Sequence, residues 1–366
     1  MMRIVTGTLA RYFGLRFLSA TIAIFVGIIA LTALIDYVEM MRRATDLPNA
    51  SPILVAKVSL FRVPQIGERL MPFCVLIGAM SCYLNLSRRN ELVVARAAGV
   101  SAWQFVAPAA VVAFILGALA TMLYNPASAL LQERSKRLED ELFGSSPTKF
   151  VANTGPFWIG QRTGDGEAII NAGSSRDQGA ELSAVTIFRF DKAGAFVERI
   201  DAGSAALGPH AWQLTELRGY PLGEKPYSRP TGELPTNLTR AQVSENVATP
   251  ESVSFWELPQ YIGTAEHVGL AAAGYRLQFQ KLLARPFLLA AVVLLAAAVS
   301  LRFFRFGGVQ KMVLSGVLAG FLLYVLSKVT DDMTKAGLMH PVAAAWLGVV
   351  VAAVVGVTAL LYQEDG

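Results

Sequence analysis

Six long apolar stretches alternate with polar ones along the chain, and one of the polar gaps is far longer than the others. The apolar stretches run from Phe17 to Tyr37, Leu60 to Leu86 (apolar mainly after Arg69), Trp103 to Tyr124, Leu277 to Leu301, Val309 to Val329 and Val342 to Tyr362. As helices they are long enough to cross about 30 Å of hydrocarbon. The long gap, from about Leu142 to Val253, has a different texture. Its run SAVTIFRFDKAGAFVERIDAGSAALG alternates apolar and polar residues, with a hairpin-like turn at Asp191 to Gly194. TGPFWIGQ and EAIINAG read as further short strands, with Gly-Asp-Gly between them as turn chemistry. The pattern predicts an α-helical membrane protein with six transmembrane helices and an inserted all-β domain, jelly-roll-like in its many short strands. The expected divisions are 1–141 for the first three spans, 142–256 for the β domain and 257–366 for the last three spans.

One short stretch fits neither class. RRNELVVARAAGVSAWQ, Arg88 to Gln104, is too polar to span and too regular for a plain loop. Ser87 or Asn90 can cap a helix start, Glu91 then lies in the first turn where its charge suits the macrodipole, and Gly99 ends the helix. Ser101 and Gln104 have capping-box spacing and start the third span. A short helix at about 88–99 therefore sits between two spans, presenting Glu91 with Arg88, Arg89 and Arg96. Two readings fit it: an interfacial helix among lipid headgroups, or a docking helix for a cytoplasmic partner. A lone carboxylate in a basic loop does not help bind anionic lipid, but it does pair with a partner's arginine, which favours docking.

Composition agrees with the spans. Of 366 residues 54% are hydrophobic and 16% charged, with a mean hydropathy of +0.46, as expected of a polytopic membrane protein. The net charge of +5 comes from basic residues beside apolar segments, which suits anchoring at a membrane surface and not a nucleic-acid stripe. Arg3, Arg11, Arg16, Arg88, Arg89, Arg96, Arg302, Arg305 and Lys311 fall on one side of a six-span arrangement. That side is expected to be cytoplasmic, with both termini. The first apolar run is longer than a signal-peptide core and is expected to be retained as a span. Cys74 and Cys82 are eight residues apart in one span, about 12 Å along a helix, and cannot bridge.

Enzymatic chemistry is not written in the chain. His210, His267 and His340 stand singly, no metal-ligand spacing occurs, and no G-x-S-x-G elbow is present. There is no G-x-x-x-x-G-K-[ST], and the cytoplasmic loops are too short for a nucleotide-binding domain, so any ATPase must be a separate chain.

The order of segments, the ARYFG start and NELVVARAAGVS after a proline-containing second span resemble the LptF/LptG permeases of the lipopolysaccharide export system. The resemblance covers essentially the whole chain, and IDYVEMMRRATD after the first span is closer to the LptG branch. It implies an inner-membrane subunit of a Gram-negative bacterium that extracts lipopolysaccharide from the outer leaflet and passes it through a periplasmic β domain to a protein bridge. It also implies an LptF-like permease as heterodimer partner, an LptB-like ATPase dimer using ATP and Mg, and an LptC-like single-span protein. No cofactor is implied for this chain itself. The helix around Glu91 matches the family's coupling helix, and spans one and five its lateral gates. The other readings are the paralogous LptF-type subunit, a non-transporting scaffold or sensor, and an unrecognised membrane hydrolase.

Basic residues on the non-cytoplasmic side run against the orientation rule. Arg42 and Arg43 follow span one, where the choice is between headgroup anchoring and recognition of lipid phosphates by paired guanidinium groups. Asp36 and Glu39 lie one turn before them and either neutralise or position them. Lys281 and Arg285, four apart on one helix face, are expected to line a cavity and attract anionic lipid. Arg134 and Lys136, after span three, belong either to the cavity rim or to a solvated helix. Asp331 and Asp332 are expected at the surface, paired with Lys328 or Lys335. Pro64, Pro72 and Gly78 imply a bent, closely packed second span.

Overall fold

The computed structural model describes residues 7–45, 51–143, 157–163, 166–176, 180–191, 195–223, 225–236, 250–267, 272–304 and 309–364. The six predicted spans are helices: α1 (Thr8–Ala44), α2 (Pro52–Arg88), a composite of α4 (Ala102–Leu119), a π turn (Ala120–Tyr124) and α5 (Asn125–Phe143), then α7 (Ala273–Phe304), α8 (Val309–Lys335) and α9 (Pro341–Glu364). Between α2 and α4 lies the short α3 (Glu91–Ala97), and α6 (Leu258–His267) precedes α7. At 37 residues, α1 and α2 are each about 55 Å long, well beyond the hydrocarbon thickness, so their charged ends lie outside it.

The spans divide into an inner and an outer set. The apolar windows of α7 and α2 are 61% and 56% buried, whereas those of α8 and α1 are 17% and 6% buried. Leu289, Val293 and Ala296 of α7 pack with Phe17 and Phe105 in the main core. Small residues set the close approaches, because without a side chain two helix backbones can touch. A Cβ on Gly117 of α4 would lie 2.5 Å from the Cα of Pro286, and one on Gly78 of α2 would lie 2.5 Å from the Thr21 hydroxyl of α1. Cys74 and Cys82 are buried and free.

Prolines inside the spans free carbonyl groups that other helices then satisfy. Pro286 has no N–H to offer the carbonyl of Leu282 four residues before it. The Thr121 hydroxyl, from the π turn, donates to that carbonyl at 2.9 Å. Pro126 likewise has none for Met122, whose carbonyl accepts the Trp256 indole N–H at 3.2 Å. The Thr121 bond is buried within the spans, where no water can substitute, so it is structural. Thr121→Ala is therefore expected to destabilise the helical unit by about 1–2 kcal/mol, within the range measured for interhelical hydrogen bonds in membranes. Thr121→Ser should be near neutral. A thermal-unfolding series in detergent checks this, and Pro286→Ala, which restores the missing N–H, should offset much of the Thr121→Ala loss.

The insertion is a single antiparallel sheet of six strands in the order β1 (Phe157–Thr163), β2 (Gly166–Arg176), β3 (Glu181–Phe190), β4 (Phe196–Leu207), β5 (Ala211–Pro221) and β6 (Tyr227–Pro235). All connections among the described strands join nearest neighbours. The alternation read from β3 and β4 is the observed register, with Ile187 opposite Ile200 and Leu182 opposite Ala205. The hairpin between them closes where Asp191 and Ala195 bond to each other, and the turn residues 192–194 lie outside the described residues, as does part of the Gly-Asp-Gly turn. Ile170, Leu182, Ile187, Trp212 and Leu214 form the core of this unit. The sheet curls until its outer strands meet: Gln161 of β1 donates to the Pro235 carbonyl at 3.0 Å and accepts from the Thr236 hydroxyl at 2.6 Å.

By compactness the chain forms two units. The helical unit comprises 1–144, 254–256 and 273–366, and the β unit comprises 145–253 and 257–272, which includes α6. The three residues Ser254–Trp256 return to the helical unit, where Phe255 stacks on Phe279 with ring centroids 5.4 Å apart.

Candidate functional site

The stretch between the second and third spans folds by local chemistry. α2 continues through Arg88, and the chain breaks at Asn90, whose φ of 60° is left-handed, a conformation asparagine tolerates better than most residues. α3 begins at Glu91 and ends before Gly99, which takes φ +82° as a terminating glycine should. The Ser101 N–H then donates to the Gln104 side chain at 3.2 Å, starting α4. Of α3 only Leu92 is buried; Val93, Val94, Arg96 and Ala97 are exposed. Arg88 and Arg89 are exposed beside it.

Glu91 is not free to swing. The Tyr12 hydroxyl of α1 donates to its Oε2 at 2.8 Å, and Arg16 donates to that same hydroxyl at 3.2 Å while lying over the Tyr12 ring. α3 is thus tethered to α1 as well as joined to α2. Beneath it lies a cavity of about 360 Å³ lined by α1, α2 and Glu91.

About 30 Å along α2 from Arg88, at Glu68, a second polar cluster crosses the spans. Glu68 is buried and accepts from Arg285 of α7 at 2.6 Å and from the Asn125 side chain at 2.8 Å. Asn125 in turn accepts the Phe255 backbone N–H at 2.8 Å, and the Tyr124 hydroxyl donates to the Pro64 carbonyl at 2.9 Å. One turn before Arg285, Lys281 is paired with Asp331 of α8. Glu68 and Arg285 pair as buried charges must, while Asp331 meets Lys281 through one oxygen and keeps its Oδ1 buried without a partner among the described residues.

Among the described residues no group of three or more His, Cys, Asp or Glu side chains is placed to hold a metal ion.

The model for the family described as lipopolysaccharide export system permease LptF/LptG matches residues 11–362. The chain belongs to that family. Among curated relatives, the lipopolysaccharide export system permease protein LptG of Escherichia coli K12 is 23% identical over 357 residues, covering 93% of this chain and 94% of the relative. The protein of that name from Haemophilus influenzae is 24% identical over 338 residues, covering 88% and 89%. The chain is a multi-pass membrane protein and a permease subunit of lipopolysaccharide export.

The residues singled out in this LptF/LptG permease fall into four sets, the fourth being Lys281 and Arg285. Arg88, Arg89, Glu91 and Arg96 gather around α3, three arginines exposed and the carboxylate tied down. Arg42 and Arg43 are exposed, and both are bonded to Glu39, at 2.8 and 2.9 Å. Glu39 therefore bonds both arginines, offsetting part of their charge as well as holding them together, while Asp36 faces Arg62 at 3.9 Å instead. Arg134 and Lys136 are exposed on α5 beside the buried Ser135, whose hydroxyl ties α5 to the Val58 carbonyl at 3.0 Å.

Lys281 and Arg285 do share a helix face, but within this chain each is engaged by a carboxylate. Asp332 pairs with Lys328 at 3.5 Å as expected, whereas Asp331 is turned inward to Lys281, a correction to its reading as a surface residue. Sequence reasoning passed over Glu68, Asn125 and Tyr12. A signal existed for Glu68: a carboxylate between Pro64 and Pro72, within a helix length of an apolar run, must find a cation when buried.

Proposed function

We propose that this chain is the LptG-like half of a lipopolysaccharide extractor. It pairs with an LptF-like permease above an LptB-like ATPase dimer, which consumes ATP with Mg, and an LptC-like single-span protein joins the assembly. α3 lies on the cytoplasmic face and docks to the ATPase, and both termini are on that side of the inner membrane. The β unit is periplasmic and receives lipid on its way to the outer membrane. The chain itself carries no catalytic step.

The observation that carries this reading is the uneven burial of the spans. α1 and α8, the first and fifth, present Leu31, Leu34, Val317 and Phe321 among many exposed apolar side chains. In a single chain these faces have only acyl chains or a second permease to meet. A lipid cavity formed between two permeases needs such walls. Exposed Arg42 and Arg43, held as a pair by Glu39, supply guanidinium groups suited to lipid phosphates, and Arg134 and Lys136 add charge on α5.

The test is gentle purification of the tagged chain from its native membrane and identification of what accompanies it. A second permease of similar size and a soluble ATPase in fixed proportion are expected. A chain that comes away alone, under conditions that keep other membrane complexes intact, overturns the reading.

A further inference from the structure

The cavity beneath α3 runs between α1 and α2, and its lining is unusual. Ser19, Ala20 and Ala23 of α1 face Ser81, Cys82 and Asn85 of α2, so small side chains leave a crevice between two long helices. Arg16 and Arg89 line the same cavity, with Glu91. Arg16 spends only its Nε on Tyr12, leaving the outer guanidinium nitrogens available, and the Arg89 guanidinium has no partner among the described residues. On the same stretch of α1, Ile22 and Val26 are exposed and apolar.

We propose that this crevice binds the headgroup of a glycerophospholipid, with the phosphodiester on Arg16 and Arg89 and the acyl chains along the outer face of α1. Two guanidinium groups and one carboxylate leave a net single positive charge, which one phosphodiester neutralises. The volume of about 360 Å³ suits a headgroup and not a whole lipid. The exposed apolar face beyond it gives the chains a place that a soluble phosphate ester could not use. Because Glu91 lines the same crevice, a lipid bound there steadies the tether between α1 and α3.

The site is built from α1, α2 and α3 of this chain alone and does not depend on which partners assemble with it. The experiment uses the full-length chain in detergent, stripped of native lipid, and native mass spectrometry with three probes: dioctanoyl phosphatidylethanolamine, dioctanoylglycerol and inorganic phosphate. The phospholipid is expected to bind at least tenfold more tightly than either of the others. Arg16→Gln with Arg89→Gln should weaken it at least tenfold, and Ala23→Leu, which fills the crevice from an exposed position without touching a charge, should do the same. Arg11→Gln, an exposed cation on α1 that does not line the crevice, should leave it unchanged, and circular dichroism verifies that each variant is folded. Equal binding of dioctanoylglycerol or phosphate overturns the proposal. So does retention of phospholipid by a folded Arg16→Gln, Arg89→Gln or Ala23→Leu variant.

Discussion

Arg285→Ala is expected to cost about 3–5 kcal/mol, the loss that comes from stranding a buried partner charge. The reason is Glu68. Its carboxylate is buried, accepts from Arg285 at 2.6 Å and, among the described residues, has otherwise the neutral Asn125 amide. Removing the guanidinium leaves a negative charge in a region without water, and the helices must open to hydrate it or the carboxyl must take up a proton. Glu68→Leu with Arg285→Met, an apolar pair of similar bulk, should recover most of the loss, because neither charge is then stranded. Thermal unfolding of the purified chain in detergent measures both. The double variant also separates the two roles considered for Arg285. If it folds and assembles yet exports lipopolysaccharide normally, Arg285 serves only Glu68; if export falls while folding is intact, Arg285 also meets the lipid.

Glu91→Lys is expected to abolish association with the ATPase, and with it export, while leaving the helical unit folded. Glu91 is in the first turn of α3; it and Ala95 are half-buried, Leu92 is buried, and Val93, Val94, Arg96 and Ala97 are exposed. Charge reversal replaces an acceptor for a partner's arginine with a like charge, adding repulsion to a lost charge-assisted bond worth about 1.5–3 kcal/mol. That bond alone is a factor of about ten or more in affinity. Tyr12→Phe is the informative companion, since it removes only the 2.8 Å hydrogen bond that holds Glu91 to α1. It should retain the ATPase at reduced occupancy, whereas Glu91→Lys should show none. Recovery of the ATPase in equal amounts with Glu91→Lys and with the unaltered chain would sink the docking role of α3.

Much of this architecture is legible in the sequence because membranes impose a simple rule. A span must be long, apolar and hydrogen-bonded within itself, so six apolar runs gave six helices. The β insertion was readable from period-two alternation, and α3 from Glu91 and Gly99, whose effects are local; Asn90 precedes α3 as expected but caps it with no side-chain hydrogen bond, taking a left-handed turn instead. What the pattern did not disclose is pairing across distance. Glu68 and Arg285 are 217 positions apart, and Gln161 and Thr236 are 75 apart. Nothing near either member names the other. The start of α2 at Pro52 was hidden for the same reason: polar residues such as Ser59, Arg62 and Glu68 look like loop until their partners on other helices are known.

The π turn at Ala120–Tyr124 changes what a helical wheel drawn over the third span can mean. One additional residue is accommodated there, and a residue is worth about 100° of rotation in an α-helix. α4 and α5 are therefore out of phase, and the stripe of α4 that meets α7 does not continue onto the stripe of α5 that meets α2. Deleting a single residue within the turn would restore the phase and swing everything beyond it through that angle. Asn125 would leave Glu68, and Ser135 would leave the Val58 carbonyl, although neither residue had been altered. In this span, register itself is the quantity to protect in any engineered variant.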